Sequence, residues 1–188
     1  MSTALTTPTG AVTVDQLVAR AEINDVLQRY VRGIDRVDME VVSSCYHPGA
    51  YDDHGQFQGT VEEFTEWLSG RLGRHEATTH FLSTPLIRFT GDDIAQVDTY
   101  CINYAVAKPH EDGTAMVTTA ELRYLDRFER RGGRWLIAHR RAVHDWRYHE
   151  TTANLLDTAT LAGFIGRRDR GDACYEDVPP YPAPSAQR

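Results

Sequence analysis

The sequence predicts an α+β domain in which helices come first and a sheet of long antiparallel strands follows. Three observations carry this. Apolar residues recur at helical spacing up to about residue 72, and after residue 77 the period drops to about two. The breaks between the later apolar runs, "TGDD", "PHEDG" and "RRGG", hold the Gly and Asp that hairpin turns favour. Helices before strands is the α+β order, and the helices must cover one face of the sheet. A curved sheet closed by three helices forms a cone with an open mouth.

Residues 1–13, which include "MSTALTTPTG", read as a flexible leader with neither the basic start nor the long apolar stretch of a signal peptide. The spacing of Leu17, Ile23, Leu27, Tyr30 and Ile34 predicts a helix over 14–34 with one buried stripe, and Asp15 suits the positive end of its dipole. A second short helix follows in "DRVDMEVVSSCYH" and stops at Pro48. "AYDDHGQFQG" has strand and turn character, with Gly55 at the turn. In "TVEEFTEWLSGRL", Thr60 caps a third helix, Glu62 and Glu63 fill its first turn, and Phe64, Trp67 and Leu68 share a face. Four strands follow at 78–90, 94–108, 115–130 and 134–148. The main domain therefore covers 14–148. Residues 149–188 read as an arm packed on this domain or on a neighbour, with the apolar segment "NLLDTATLAGFIG" and a disordered "PPYPAPSAQR" end.

A formal charge of -7 argues against general affinity for nucleic acid or anionic membranes, while leaving room for a local basic pocket. No apolar run approaches the roughly 20 residues that span a bilayer. Cys45, Cys101 and Cys174 are odd in number and widely spaced, which fits a reduced, cytoplasmic setting without a structural disulfide.

Four features carry candidate chemistry. Tyr30 lies on the apolar stripe and Asp35 ends the same helix, where a carboxylate faces the unfavourable end of the dipole. On their own they read first as a core tyrosine and a turn aspartate that caps the next segment. On the strand "TTHFLSTP", alternation puts Thr78, His80, Leu82 and Thr84 on one face. His80 is either a structural histidine or a base whose other nitrogen an aspartate holds. In "GRWLIAHRRAVHDW", Leu136, Ala138, Arg140, Ala142 and His144 share one face and Trp135, Ile137, His139, Arg141 and Val143 the other. Arg140 could stabilise a developing oxyanion, and alternation alone leaves open whether it or Arg141 points inward. The cluster Asp52, Asp53, His54, with His139, His144 and His149, could serve as a metal site only if three or four of these side chains converge. Histidines five apart on a strand face opposite sides and no ligand motif is present, so no metal is expected. Nucleophile-elbow, P-loop and dinucleotide fingerprints are missing from the sequence.

"EINDVLQRYVRGID", "TTHFLSTPLIRF" and "GRWLIAHRRAVHDW" together resemble the SnoaL-like branch of the nuclear-transport-factor-2-like superfamily, over about residues 14–148, and "GRRDRGDACYEDVP" resembles the arm of that branch. The resemblance implies a cystatin-like α+β barrel, a cone of antiparallel sheet wrapped around the N-terminal helices. Characterised relatives in the branch are cofactor-free lyases: a hexachlorocyclohexane dehydrochlorinase, bile-acid 7α-dehydratases and scytalone dehydratase. Carried over by position, Asp35 and His80 match their His–Asp base, Tyr30 their assisting helix residue and Arg140 their wall arginine. Asn103 or a neighbour stands where the bile-acid enzymes use an aspartate, which argues against a bile-acid substrate.

The implied function is a cofactor-independent dehydratase-type lyase, or a double-bond isomerase, acting on a small apolar or polycyclic molecule. Asp35, His80, Tyr30 and Arg140 would be catalytic, and Leu82, Asn103, His144 and Trp67 would line the pocket. The alternative is a non-catalytic binding protein or an accessory subunit resembling the β subunit of ring-hydroxylating dioxygenases. A small-molecule substrate and a homo-oligomer, trimer before dimer, complete the expectation, with no nucleic acid and no membrane among the partners.

Overall fold

The computed structural model describes residues 12–153 and 165–177. The leader before residue 12, the segment 154–164 and the Pro-rich end from 178 lie outside the described residues. Helix α1 spans Val14–Asp35, α2 Met39–Ser44 and α3 Val61–Leu72. The strands are β1 Tyr46–Asp53, β2 Gln58–Thr60, β3 His75–Leu82, β4 Leu86–Gly91, β5 Ile94–Ala107, β6 Ala115–Arg131 and β7 Arg134–Thr152.

Local chemistry sets the helix starts. Thr13 and Gln16 form a capping box at α1, Thr60 and Glu63 form another at α3, and the Asp38 side chain caps α2. The buried stripe of α1 runs from Ala19 through Ile23, Leu27, Tyr30 and Ile34. Ile23 and Leu27 are fully buried, each contributing about 1.5–3 kcal/mol of apolar transfer. Leu17, expected on this stripe, is 57% exposed, because burial begins only at the second turn.

The sheet order is β2-β1-β7-β6-β5-β3, with β4 also paired to β5. Three features differ from expectation. The sheet is mixed, since β1 runs parallel to β7 while the other pairs are antiparallel. About 80 residues separate the end of β1 from the start of β7, so no tight turn forces them antiparallel. The predicted strand 78–90 is two strands, because the chain leaves the ladder at Thr84 and Pro85, where Pro85 has no N–H to give. Both halves still pair with one edge of β5. Pro48 does not stop α2; the helix ends at Ser44, and Pro48 sits with Gly49 (φ +72°) in a bulge of β1 between Tyr46 and Tyr51.

Bulges also reset β7. Ile137 pairs with Phe128 and His139 with Arg127, leaving Ala138 as the extra residue. Before it Trp135, Leu136 and Ile137 are all buried, with Ile137 opposite Tyr46 of β1; after it the buried positions are Arg140, opposite Asp52 of β1, and Ala142. Strict alternation could not place the inward arginine, and the bulge does: Arg140 is buried and Arg141 exposed. From 165 to 177 the arm packs back on its own domain. Arg36 bonds Arg167 O and Asp172, and Tyr175 donates to Asp38.

Candidate active site

A cavity of about 410 Å3 opens between α1, α3 and the inner face of the sheet. Ile34, Leu68, Leu72, Leu122 and the rings of Tyr30, Trp67 and Tyr124 form its apolar walls. His54, His75, Thr78, His80, Asn103 and His144 supply polar groups, and the exposed Arg71, Asp145, Trp146 and Arg147 border it.

Asp35 ends α1 and faces β3. Its Oδ1 lies 2.6 Å from His80 Nδ1, and its Oδ2 accepts the His80 backbone N–H at 3.0 Å. Two donors thus answer a carboxylate placed at the wrong end of a helix dipole. An ionised carboxylate only accepts, so in the neutral ring the proton sits on Nδ1 and the lone pair on Nε2. That lone pair meets Asn103, the partner of His80 across the β3–β5 ladder, whose Nδ2 is 2.8 Å away. Asp35, His80 and Asn103 therefore make one chain of hydrogen bonds ending at the cavity wall.

A second His–Asp pair faces the same cavity. His54 Nδ1 contacts Oδ1 of the fully buried Asp52, and the Tyr46 hydroxyl donates to Asp52 Oδ2 at 2.6 Å. Stacking on Phe64, with ring centroids 4.8 Å apart, holds the imidazole. His54 Nε2 makes no hydrogen bond among the described residues. In the sequence Asp52 and His54 stand out only as candidate metal ligands. Their spacing of two on a strand, which puts both on one face, was the available signal. Among the described residues no three His, Cys, Asp or Glu side chains are placed to hold a metal ion.

Arg140 is not on the cavity, contrary to expectation. It is fully buried and opposite Asp126 on β6 and Asp52 on β1 in one row of the sheet. Asp126 takes Nε and Nη2 at 2.8 and 2.7 Å, and the guanidinium carbon sits 4.0 and 4.1 Å from the Tyr30 and Tyr124 ring centroids. Burial opposes its charge, but Asp126 and the nearby phenols hold it well above the ordinary arginine value. The bulge at Ala138 turns Arg140 into this stack, and it braces the cavity's aromatic wall from behind. Leu82 is not on the lining either; at the end of β3, opposite Cys101, it packs against the hydrophobic core.

Tyr30, Trp67, Asn103 and His144 do line the cavity. The Tyr30 hydroxyl is buried without a hydrogen-bond partner among the described residues, and burial pushes the phenol far up, so it stays an O–H donor. Burial, then the charges of His54, Arg147 and Arg71, push His144 down. Burial also lowers His75, against which Arg168 of the arm is wedged, donating to the Leu72 and His75 carbonyls at 3.0 and 2.6 Å. Arg168 was missed in the sequence because its position depends on a fold-back across some 90 residues.

No curated protein matches the chain. Among solved structures, a candidate scytalone dehydratase from Novosphingobium aromaticivorans superposes with a TM-score of 0.65 at 17% identity, covering 73% of this chain and 91% of its own. A hexachlorocyclohexane dehydrochlorinase from Novosphingobium barchaimii gives 0.59 at 19%, with 76% and 95% covered. A cystatin-like protein of unknown function from Nostoc punctiforme gives 0.56 at 16%, with 72% and 96% covered. At these identities the likeness is one of fold, a helix-covered curved sheet of the cystatin and nuclear-transport-factor-2 type. The sequence itself carries the family: residues 15–141, nearly all of that helix-and-sheet unit, match the SnoaL-like domain, and the chain belongs to that family.

Proposed function

We propose that the protein is a cofactor-independent lyase that eliminates water from a small, largely apolar molecule, with His80 as the base and Asp35 as its orienting partner. The observation that carries this reading is the His80 ring, fixed through Nδ1 by Asp35 and placed with Nε2 on the wall of an open cavity. The fold shared with a candidate dehydratase and a dehydrochlorinase supports it. The Asn103 amide swings off Nε2 as substrate enters. His80 Nε2 then takes a proton from an activated C–H, and the electrons of that bond form the new C=C bond. Tyr30 donates its free O–H to the developing enolate oxygen, a role the sequence reading shared between Tyr30 and Arg140. The imidazolium formed at His80 then gives that proton to the departing hydroxyl, which leaves as water and returns His80 to its neutral form. Double-bond isomerisation shares the first step and differs only in returning the proton from His80 to a second carbon.

The test is a panel of cyclic β-hydroxyketones, whose dehydration produces a conjugated enone visible by ultraviolet absorbance. Enone formation by the wild type and its loss in His80→Ala supports the reading. Equal rates in both proteins refute it.

A further inference from the structure

The chain carries 27 acidic and 20 basic side chains, yet the rim of the cavity has the opposite balance. Arg71 and Arg147 border it, and Arg168 stands against Leu72, His75 and Thr78 of its wall. None of the three forms an ion pair among the described residues. Among the described residues the Arg71 side chain bonds Gln56 (2.8 Å), and Arg168 bonds two carbonyls and a threonine hydroxyl. The acid bordering the cavity, Asp145, is taken by Arg123, which grips it through Nε and Nη2 at 2.8 and 3.0 Å.

Arg29, Arg36, Arg123, Arg130, Arg140 and Arg170 have carboxylate partners, whereas among the described residues Arg20, Arg32, Arg74, Arg88 and Arg134, like the three at the cavity, do not. What marks the cavity is that three such guanidiniums gather around one opening. Arg71 is also held in place, since its guanidinium lies over the Trp67 ring, 5.4 Å from the centroid. A guanidinium fixed by stacking, with hydrogen-bond donors unspent, is a preorganised carboxylate site.

We propose that the substrate is an apolar acid, whose carboxylate binds at Arg71 and Arg147 while its carbon skeleton lies on the aromatic and aliphatic wall beside His80. This rests on the reading of the cavity as the substrate site and adds the substrate's charge and orientation. The mutual repulsion of the rim agrees with it. Burial, then the charges of Arg147 and Arg74, lower Arg71, and like charges also lower His144 and His75. A bound anion relieves all three, and it fixes which end of the molecule reaches the base.

The binding test needs no knowledge of the true substrate. 1-Anilinonaphthalene-8-sulfonate and N-phenyl-1-naphthylamine share one aromatic skeleton and differ in the sulfonate, and both report binding by fluorescence. At low salt the wild type is expected to bind the sulfonate at least about tenfold more tightly, the scale of charge-assisted hydrogen bonds. In the Arg71→Gln/Arg147→Gln double variant that advantage falls to within about threefold, while the neutral probe binds as before and so reports an intact cavity. Equal affinities in the wild type, an advantage unchanged in the double variant, or no binding of either probe overturns the proposal. His80→Ala keeps the preference, so a failed catalytic role for His80 and a failed anion site give different results.

Discussion

Asp35 and His80, 45 residues apart in sequence, meet through two hydrogen bonds, one to the imidazole Nδ1 and one to the backbone N–H. The second bond matters as much as the first. It ties the carboxylate to the strand that carries the ring, so Asp35 stays in place to hold the imidazole through Nδ1.

Asp35→Asn preserves size but reverses the chemistry at Nδ1. The new amide can donate to Nδ1 and so favours the tautomer with its proton on Nε2, the atom that must accept one. Turnover is expected to fall by about 10^2 to 10^4-fold with circular dichroism unchanged. Activity within threefold of wild type shows that orientation by Asp35 is dispensable.

Asn103→Asp places a carboxylate where the amide now faces Nε2. Clamped between two carboxylates, His80 favours the imidazolium, which cannot act as a base. The acid limb of the pH–rate profile is expected to move upward by about one unit or more, with the plateau rate less affected. An unmoved or downward-shifted limb contradicts the placement of Asn103 on Nε2.

Arg140→Met leaves Asp126 buried and uncompensated beside Asp52. Loss of about 3–5 kcal/mol is expected in urea unfolding. Adding Asp126→Leu removes the orphaned charge and recovers most of that loss. If the double variant is no more stable than the single one, Arg140 stabilises through its ring contacts rather than through the pair.

The arm offers a pH test. The Cys174 thiol and backbone N–H, the Arg167 N–H and the Arg36 guanidinium hold the Asp172 carboxyl well below the usual carboxylate range. Its folded value lies below the unfolded one of about 3.9, so its contribution is complete above that pH and is lost as pH falls toward the folded value. Asp172→Asn should therefore lower Tm by about 2–4 °C at pH 7, with the gap closing below about pH 4. A gap that persists in acid means that Asp172 acts through shape and not charge.

Much of the fold was legible because its signals are local. Thr60 and Glu63 announce α3, and the change of period after residue 77 announces the sheet. The sequence also showed that His80 shares a face with Thr78. It could not show what lies opposite, and the pairing with Asp35 came from family resemblance. Alternation failed where the backbone breaks phase. The extra residue Ala138 decides that Arg140 is buried, and Pro85 divides one apparent strand into two. Asp52 and His54 were visible as a pair but not as a supported one, because Tyr46 and Phe64 reach them only in three dimensions. Arg168 enters through the arm, and no periodicity reports a fold-back of that kind.

The central claim is that His80 removes a carbon-bound proton. Its most direct measurement incubates a bacterial small-molecule extract in D2O with the wild type or with folded His80→Ala, followed by untargeted mass spectrometry. The account predicts compounds that gain deuterium or lose the mass of water only with the wild type. The same compounds changing to the same extent with His80→Ala would contradict it.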